Sequence, residues 1–229
     1  MKTKNFNLSL VFLKNYCLEA VINAESLFAE SKLLFKHCYY ARSYFVAIAS
    51  IEETGKAVIA FDAQGRKLAN SRIATKIRRQ LADHAAKINS SFLPWVMCSD
   101  DIRRDFLIAS SLSLDLSNGR ETSLYVDVAV DSANVQSPLK QVSKNNANGC
   151  LIVADNVLTA AKEYIKSGKP IVRSTAEDAF LAMSVDEIYE IISLDEFTLY
   201  WDNEVRNGRI NFVETLTRFH KSKYKKTIG

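Results

Sequence analysis

The segment Ser50-Ile51-Glu52-Glu53-Thr54-Gly55-Lys56 places two carboxylates and an ammonium inside an otherwise apolar stretch running from Tyr44 to Phe61. Glu52 lies one helical turn before Lys56, so the two meet near the edge of a buried face and can form an ion pair. Gly55 costs about 1 kcal/mol in a helix interior and therefore predicts that something packs closely against the backbone there. The plainer reading is a surface ion pair beside a helix crossing, and periodicity alone favours it. His84 is the second candidate, replacing an apolar residue on an inward stripe, with Lys87 following on a neighbouring face. Its natural partner is Glu52 or Glu53, although a lone histidine on such a stripe is more often a hydrogen-bonded core residue than a catalyst. The third candidate is Arg120-Glu121-Thr122-Ser123-Leu124-Tyr125, where the chain leaves one helix and crosses to the next. Functional residues gather at such junctions. Alternatively, Arg120 caps the preceding helix and Tyr125 anchors the loop.

The elements that must position these residues are helical. Apolar residues from Leu10 to Phe35 recur at the three-and-four spacing of an amphipathic helix, and a second helix runs from about Tyr39 to Asp62. A third is expected from about Ser71 to Phe92, continuous through His84 and closed by Pro94. On that continuous helix the Arg79-x4-His84 spacing turns the two side chains about 140° apart, so they would not share a face. A fourth helix starts at Ser99-Asp100-Asp101 and is expected to end at Gly119 as a left-handed cap. Leu124 to Val128 alternates like a strand within an irregular crossover that includes Pro138, and a fifth helix runs from about Ser143 to Lys166. Beyond Pro170, Ser174…Glu177, Ser184…Glu187 and Ser193…Glu196 each carry capping-box spacing, predicting two or three short helices.

The fold class implied is all-α: a helical bundle over 1–168 with a helical C-terminal extension over 169–229 that ends in a basic tail. Seven glycines and three prolines in 229 residues leave little material for the turns of a sandwich or barrel. No run reaches the roughly 18 uninterrupted apolar residues of a membrane span, because Glu52 and Glu53 split the best candidate. Residues Met1 to Lys14 lack a cleavage site, so no signal peptide and no membrane contact are expected, and the cytoplasm is the expected compartment. The four cysteines, Cys17, Cys38, Cys98 and Cys150, have no metal-type spacing and read as buried thiols. No metal and no cofactor are expected. Of the excess positive charge, Arg218, Lys221, Lys223, Lys225 and Lys226 all follow the last acid, Glu214, which leaves the body near neutral. Such a tail can contact RNA phosphates, though a solvated terminus is the commoner case.

Taken together and in order, Tyr39-Tyr40-Ala41-Arg42-Ser43-Tyr44, Ala49 to Lys56, Asp83-His84-Ala85-Ala86-Lys87, and Leu124-Tyr125-Val126-Asp127 with Ser137-Pro138 downstream resemble the AbiV family of bacterial abortive-infection proteins, within the HEPN superfamily. The resemblance covers about Leu13 to Lys166. It implies an up-and-down four-helix core, commonly dimeric, acting in defence against bacteriophage on RNA or the translation machinery. HEPN toxins typically cut RNA without a metal through an Arg-x4-6-His motif, in which arginine stabilises phosphate charge and histidine transfers a proton. Here that position holds Arg120-x4-Tyr125, and a phenol is a poor general base at neutral pH. Either His84 supplies the base from the neighbouring helix, or the chain does not cleave by that route. The resemblance thus implies a catalytic cluster of Glu53, Lys56, His84, Arg120 and Tyr125, with a second copy, RNA and a phage-encoded activator protein as partners. The alternative is a non-catalytic helical module that senses a phage protein or ligand and regulates a partner. A third reading is a dimerisation domain whose polar cluster is structural.

Overall fold

A computed structural model describes residues 7–128, 134–166, 168–209 and 211–224. Lys225 and Lys226 of the basic tail, and residues 1–6, lie outside the described residues. The described chain divides into two compact units, one formed by Met1–Gln64 with Ile77–Pro170, the other by Gly65–Lys76 with Ile171–Gly229.

The first unit is built on α1 (Leu10–Lys36) and α2 (Tyr40–Ala63), joined by a turn in which Cys38 takes a φ of +62°. So short a link between two long helices packed along their length makes them an antiparallel hairpin. Small residues allow the close approach: Ser43 Oγ donates to Ser31 O at 2.8 Å and Ser50 Oγ to Ala24 O at 2.8 Å. Around α2 are packed α4 (His84–Met97), α5 (Ile102–Thr122) and α7 (Lys144–Lys166). Ile48, Ile51, Ile88, Phe92, Leu116, Leu151 and Val157 form the core between them. The crossover holds two-residue strands, β1 (Asp127–Val128) and β2 (Val135–Gln136), paired antiparallel, and one turn of helix, α6 (Pro138–Gln141).

Several expected boundaries are corrected. The third helix is two helices, α3 (Ser71–Ala82) and α4, because Asp83 adopts an extended conformation and its carboxylate accepts the Ala86 N–H at 2.7 Å. An aspartate that caps a new helix ends the old one. Pro94 does not close α4, which runs on to Met97. Gly119 is interior to α5 rather than its cap; a Cβ there would lie 2.5 Å from the Tyr44 hydroxyl, so the glycine makes room for a side chain. Cys38 and Cys98 are exposed, whereas Cys17 and Cys150 are buried as expected.

The second unit contains α8 (Thr175–Ala182), α9 (Val185–Ile192), α10 (Asp195–Arg206) and α11 (Phe212–Tyr224). Met183, Ile191, Phe197, Leu216 and Phe219 make its core. The boxes at Ser174 and Ser184 form with both reciprocal bonds. The one at Ser193 does not, because that residue closes α9 with its N–H on Tyr189 O, and α10 begins two residues later at Asp195 with Leu194 as its cap. Residues 65–76 join this unit: Arg66 reaches the buried Asp178 at 3.2 Å, and the Lys67 N–H donates to the same carboxylate at 3.1 Å. No helix among the described residues is long and apolar enough to cross a membrane.

Candidate functional site

Glu52 occupies the inward side of α2, one turn after Ile48, in a position that an apolar residue would normally fill. Its buried carboxylate gathers three cationic or ionisable side chains from two other helices. On Oε2 converge Lys87 Nζ at 2.9 Å and His84 Nδ1 at 2.8 Å, both from α4. Arg120, in the last turn of α5, brings Nε to 2.8 Å of Oε1. The Arg120 N–H is not aligned on that oxygen, which lacks a well-directed hydrogen bond, so this contact is an ion pair by proximity. The guanidinium carbon also sits 5.5 Å from the centre of the Phe45 ring, close enough for cation–π attraction.

Backbone geometry makes this convergence possible. A Cβ on Gly55 would lie 1.8 Å from the carbonyl oxygen of Lys87, so α4 crosses α2 in contact with the glycine. That is the close neighbour its cost in the helix interior predicted. The helix break at Asp83 makes His84 the first residue of α4. Lys87 then follows three positions later on the same side of the helix.

The electrostatics of the cluster favour an ionised carboxylate. Burial alone would raise the Glu52 pKa, but the hydrogen bonds from Lys87 and His84, with their charges, outweigh it and hold the carboxyl below its ordinary value. With Lys87 and Arg120 against a single glutamate, the cluster keeps a net positive charge whatever the state of His84. It is also reachable: the His84 side chain is 49% exposed and that of Arg120 is 26% exposed, while Lys87 is buried.

His84 and Arg120 are therefore brought together, but the other three candidates are not. Glu53 and Lys56 pair with each other. One residue further along a helix turns the side chain by about 100°, which carries Glu53 away from Glu52 and towards α1. There the pair lines a separate groove with Tyr16, Glu19 and Asn23. Lys56 consequently pairs with Glu53 and not, as its spacing suggested, with Glu52. Tyr125 follows α5 with its N–H on Glu121 O at 2.9 Å and its side chain 60% exposed, and it is not among the groups around Glu52. The sequence leaves Glu52 and Glu53 open as partners of His84, the expected site takes Glu53, and Lys87 is not counted in it. The signal was present: Glu52 falls on the Ile48-Ile51-Gly55-Ile59 stripe, and Lys87 is one turn from His84.

The donor set suits an anion. Among the described residues no group of three or more His, Cys, Asp or Glu side chains is placed to hold a metal ion. Glu52 holds the half-exposed His84 ring at Nδ1, an arrangement in which a carboxylate fixes a histidine's orientation. Neither the curated proteins nor the solved structures yield a match to this chain. A family model described as AbiV matches residues 12–159, which span α2, α4 and α5 with all four residues of the Glu52 cluster. This chain belongs to the AbiV family of HEPN proteins, a family of abortive infection.

Proposed function

We propose that the chain acts in anti-phage defence as a metal-independent endoribonuclease whose working groups are His84 and Arg120, held in place by Glu52. The observation that carries this reading is the shared carboxylate: a half-exposed imidazole and a guanidinium meet within 2.8 Å of the two oxygens of one buried glutamate. Arg120 binds a phosphodiester of RNA and neutralises the charge that grows on its oxygens. His84 Nε2 removes the proton of the adjacent ribose 2′-hydroxyl, whose oxygen attacks phosphorus. The bond to the 5′-oxygen breaks, and the imidazolium returns its proton to that leaving oxygen. The products are a 2′,3′-cyclic phosphate and a 5′-hydroxyl. Ile102, Phe106, Leu107 and Leu114 lie exposed along α5, which supports a homodimer formed through that helix.

The test is incubation of the purified protein with total RNA, alone and with a phage lysate, followed by mapping of the fragment ends. Cyclic-phosphate ends are expected, with rates falling about 10²-fold or more in His84→Ala and in Arg120→Ala. Absence of cleavage in every condition, together with full protection of cells by the double variant, would remove the nuclease reading. A second reading, a non-catalytic sensor of a phage protein, is favoured by one feature: Arg120 and Lys87 are already committed to Glu52. It predicts a stoichiometric phage partner retained by the His84→Ala protein. Light scattering at micromolar concentration checks the dimer.

A further inference from the structure

Helices α1, α2 and α7 line an open cavity of about 540 Å³ that has no part in the Glu52 cluster. Its apolar wall is formed by Cys17, Leu18, Val21 and Phe61. The Cys17 thiol is pushed up to about 11, by burial first and then by the charge of Asp62, so this wall stays uncharged at neutral pH. Exposed Lys14, Lys162 and Lys166 also line it, against one acid, Glu163. Lys162 is paired with Glu25, whereas Lys14 and Lys166 form no ion pair among the described residues. Cavities of roughly 300–1,000 Å³ with apolar walls and a few charged groups are the usual form of small-ligand sites.

We infer that this cavity binds an acyl carboxylate, a single apolar chain with one anionic head, its tail against Leu18, Val21 and Phe61 and its carboxylate between Lys14 and Lys166. The uncompensated ammonium groups call for an anion, and the uncharged wall calls for hydrocarbon. A detached acid is specified rather than a lipid surface, because the apolar residues line a concavity between helices that a single chain can enter and a flat bilayer cannot. The inference does not depend on the nuclease reading.

The experiment is calorimetric titration of the full chain with decanoate, decanol and phosphatidylglycerol vesicles. Decanoate is expected to bind about tenfold more tightly than decanol, the margin being the two ammonium groups. Lys14→Glu with Lys166→Glu should erase that margin while leaving decanol binding intact. Leu18 is exposed, so Leu18→Trp should fill the cavity and abolish binding of both ligands without unfolding the chain. Equal affinity for acid and alcohol, binding of vesicles alone, no binding of either ligand, or unchanged binding by the folded Leu18→Trp protein would each overturn the inference.

Discussion

The carbonyl oxygen of Lys87 lies 1.8 Å from the point where a Cβ on Gly55 would stand, so the backbone of α4 occupies the space that any other residue at position 55 would need. In an unencumbered helix interior, Gly→Ala stabilises by about 1 kcal/mol. Here the sign reverses. Gly55→Ala should destabilise the first unit by roughly 1–3 kcal/mol, because two backbones must separate. Urea unfolding of both proteins gives the answer, and a variant as stable as the parent would show that α4 does not cross at this glycine.

Glu52 and Glu53 are adjacent in sequence and should respond very differently to truncation. Glu52→Ala leaves Lys87 buried without its counter-ion, and breaking a buried pair in this way costs about 3–5 kcal/mol. Glu53→Ala removes a partly exposed pair and should cost under about 1 kcal/mol. Comparable losses in thermal or urea denaturation would contradict the placement of the two carboxylates.

The depressed pKa of Glu52 has a pH signature. A carboxyl held below its ordinary value contributes stability that is complete above the unfolded value of 4.5 and is lost as pH falls through the folded value. Unfolding free energy should therefore decline more steeply below pH 4.5 in the parent than in Glu52→Gln, which has no proton to take up there. Parallel acid profiles for the two proteins would mean that the carboxylate is not stabilised by its neighbours.

The cysteines divide into two reactive classes. Cys38 and Cys98 are exposed and should react with a disulfide reagent promptly in the native state. Cys17 and Cys150 should react only on unfolding, since burial pushes the Cys150 thiol up to about 12 and burial with Asp62 pushes Cys17 up to about 11. Because these thiols hold their protons more tightly when folded, stability should fall as pH rises above the unfolded value of 9.0. Four fast thiols in native protein would contradict the core packing.

The long helices were legible because their apolar residues repeat at helical period and their partners lie on both sides, as in α1, α2 and α7. The break at Asp83 was hidden for a physical reason: the apolar stripe continues from Ile77 through Leu81 to Ile88, and only the choice of Asp83 to cap Ala86 interrupts it. His84 and Arg120 could be singled out by type and position, but the choice between Glu52 and Glu53 required the helix phase, which two neighbouring glutamates leave ambiguous to within one residue. The membership of residues 65–76 in the second unit rests on Arg66 and Lys67 meeting Asp178. Nothing local announces a contact between positions so far apart in the chain.

That contact bears on how the molecule is made. Arg66 and its counter-ion Asp178 are 112 positions apart, with the greater part of the helical bundle between them. On a ribosome the first partner emerges long before the second, and Leu216 and Phe219 of the same small core come later still. The second unit can be completed only after its last described helix, α11, has emerged. No single cut in the chain separates the two units intact: truncation after Pro170 would strand residues 65–76, the link after α2 and the first half of α3, without the helices they pack with.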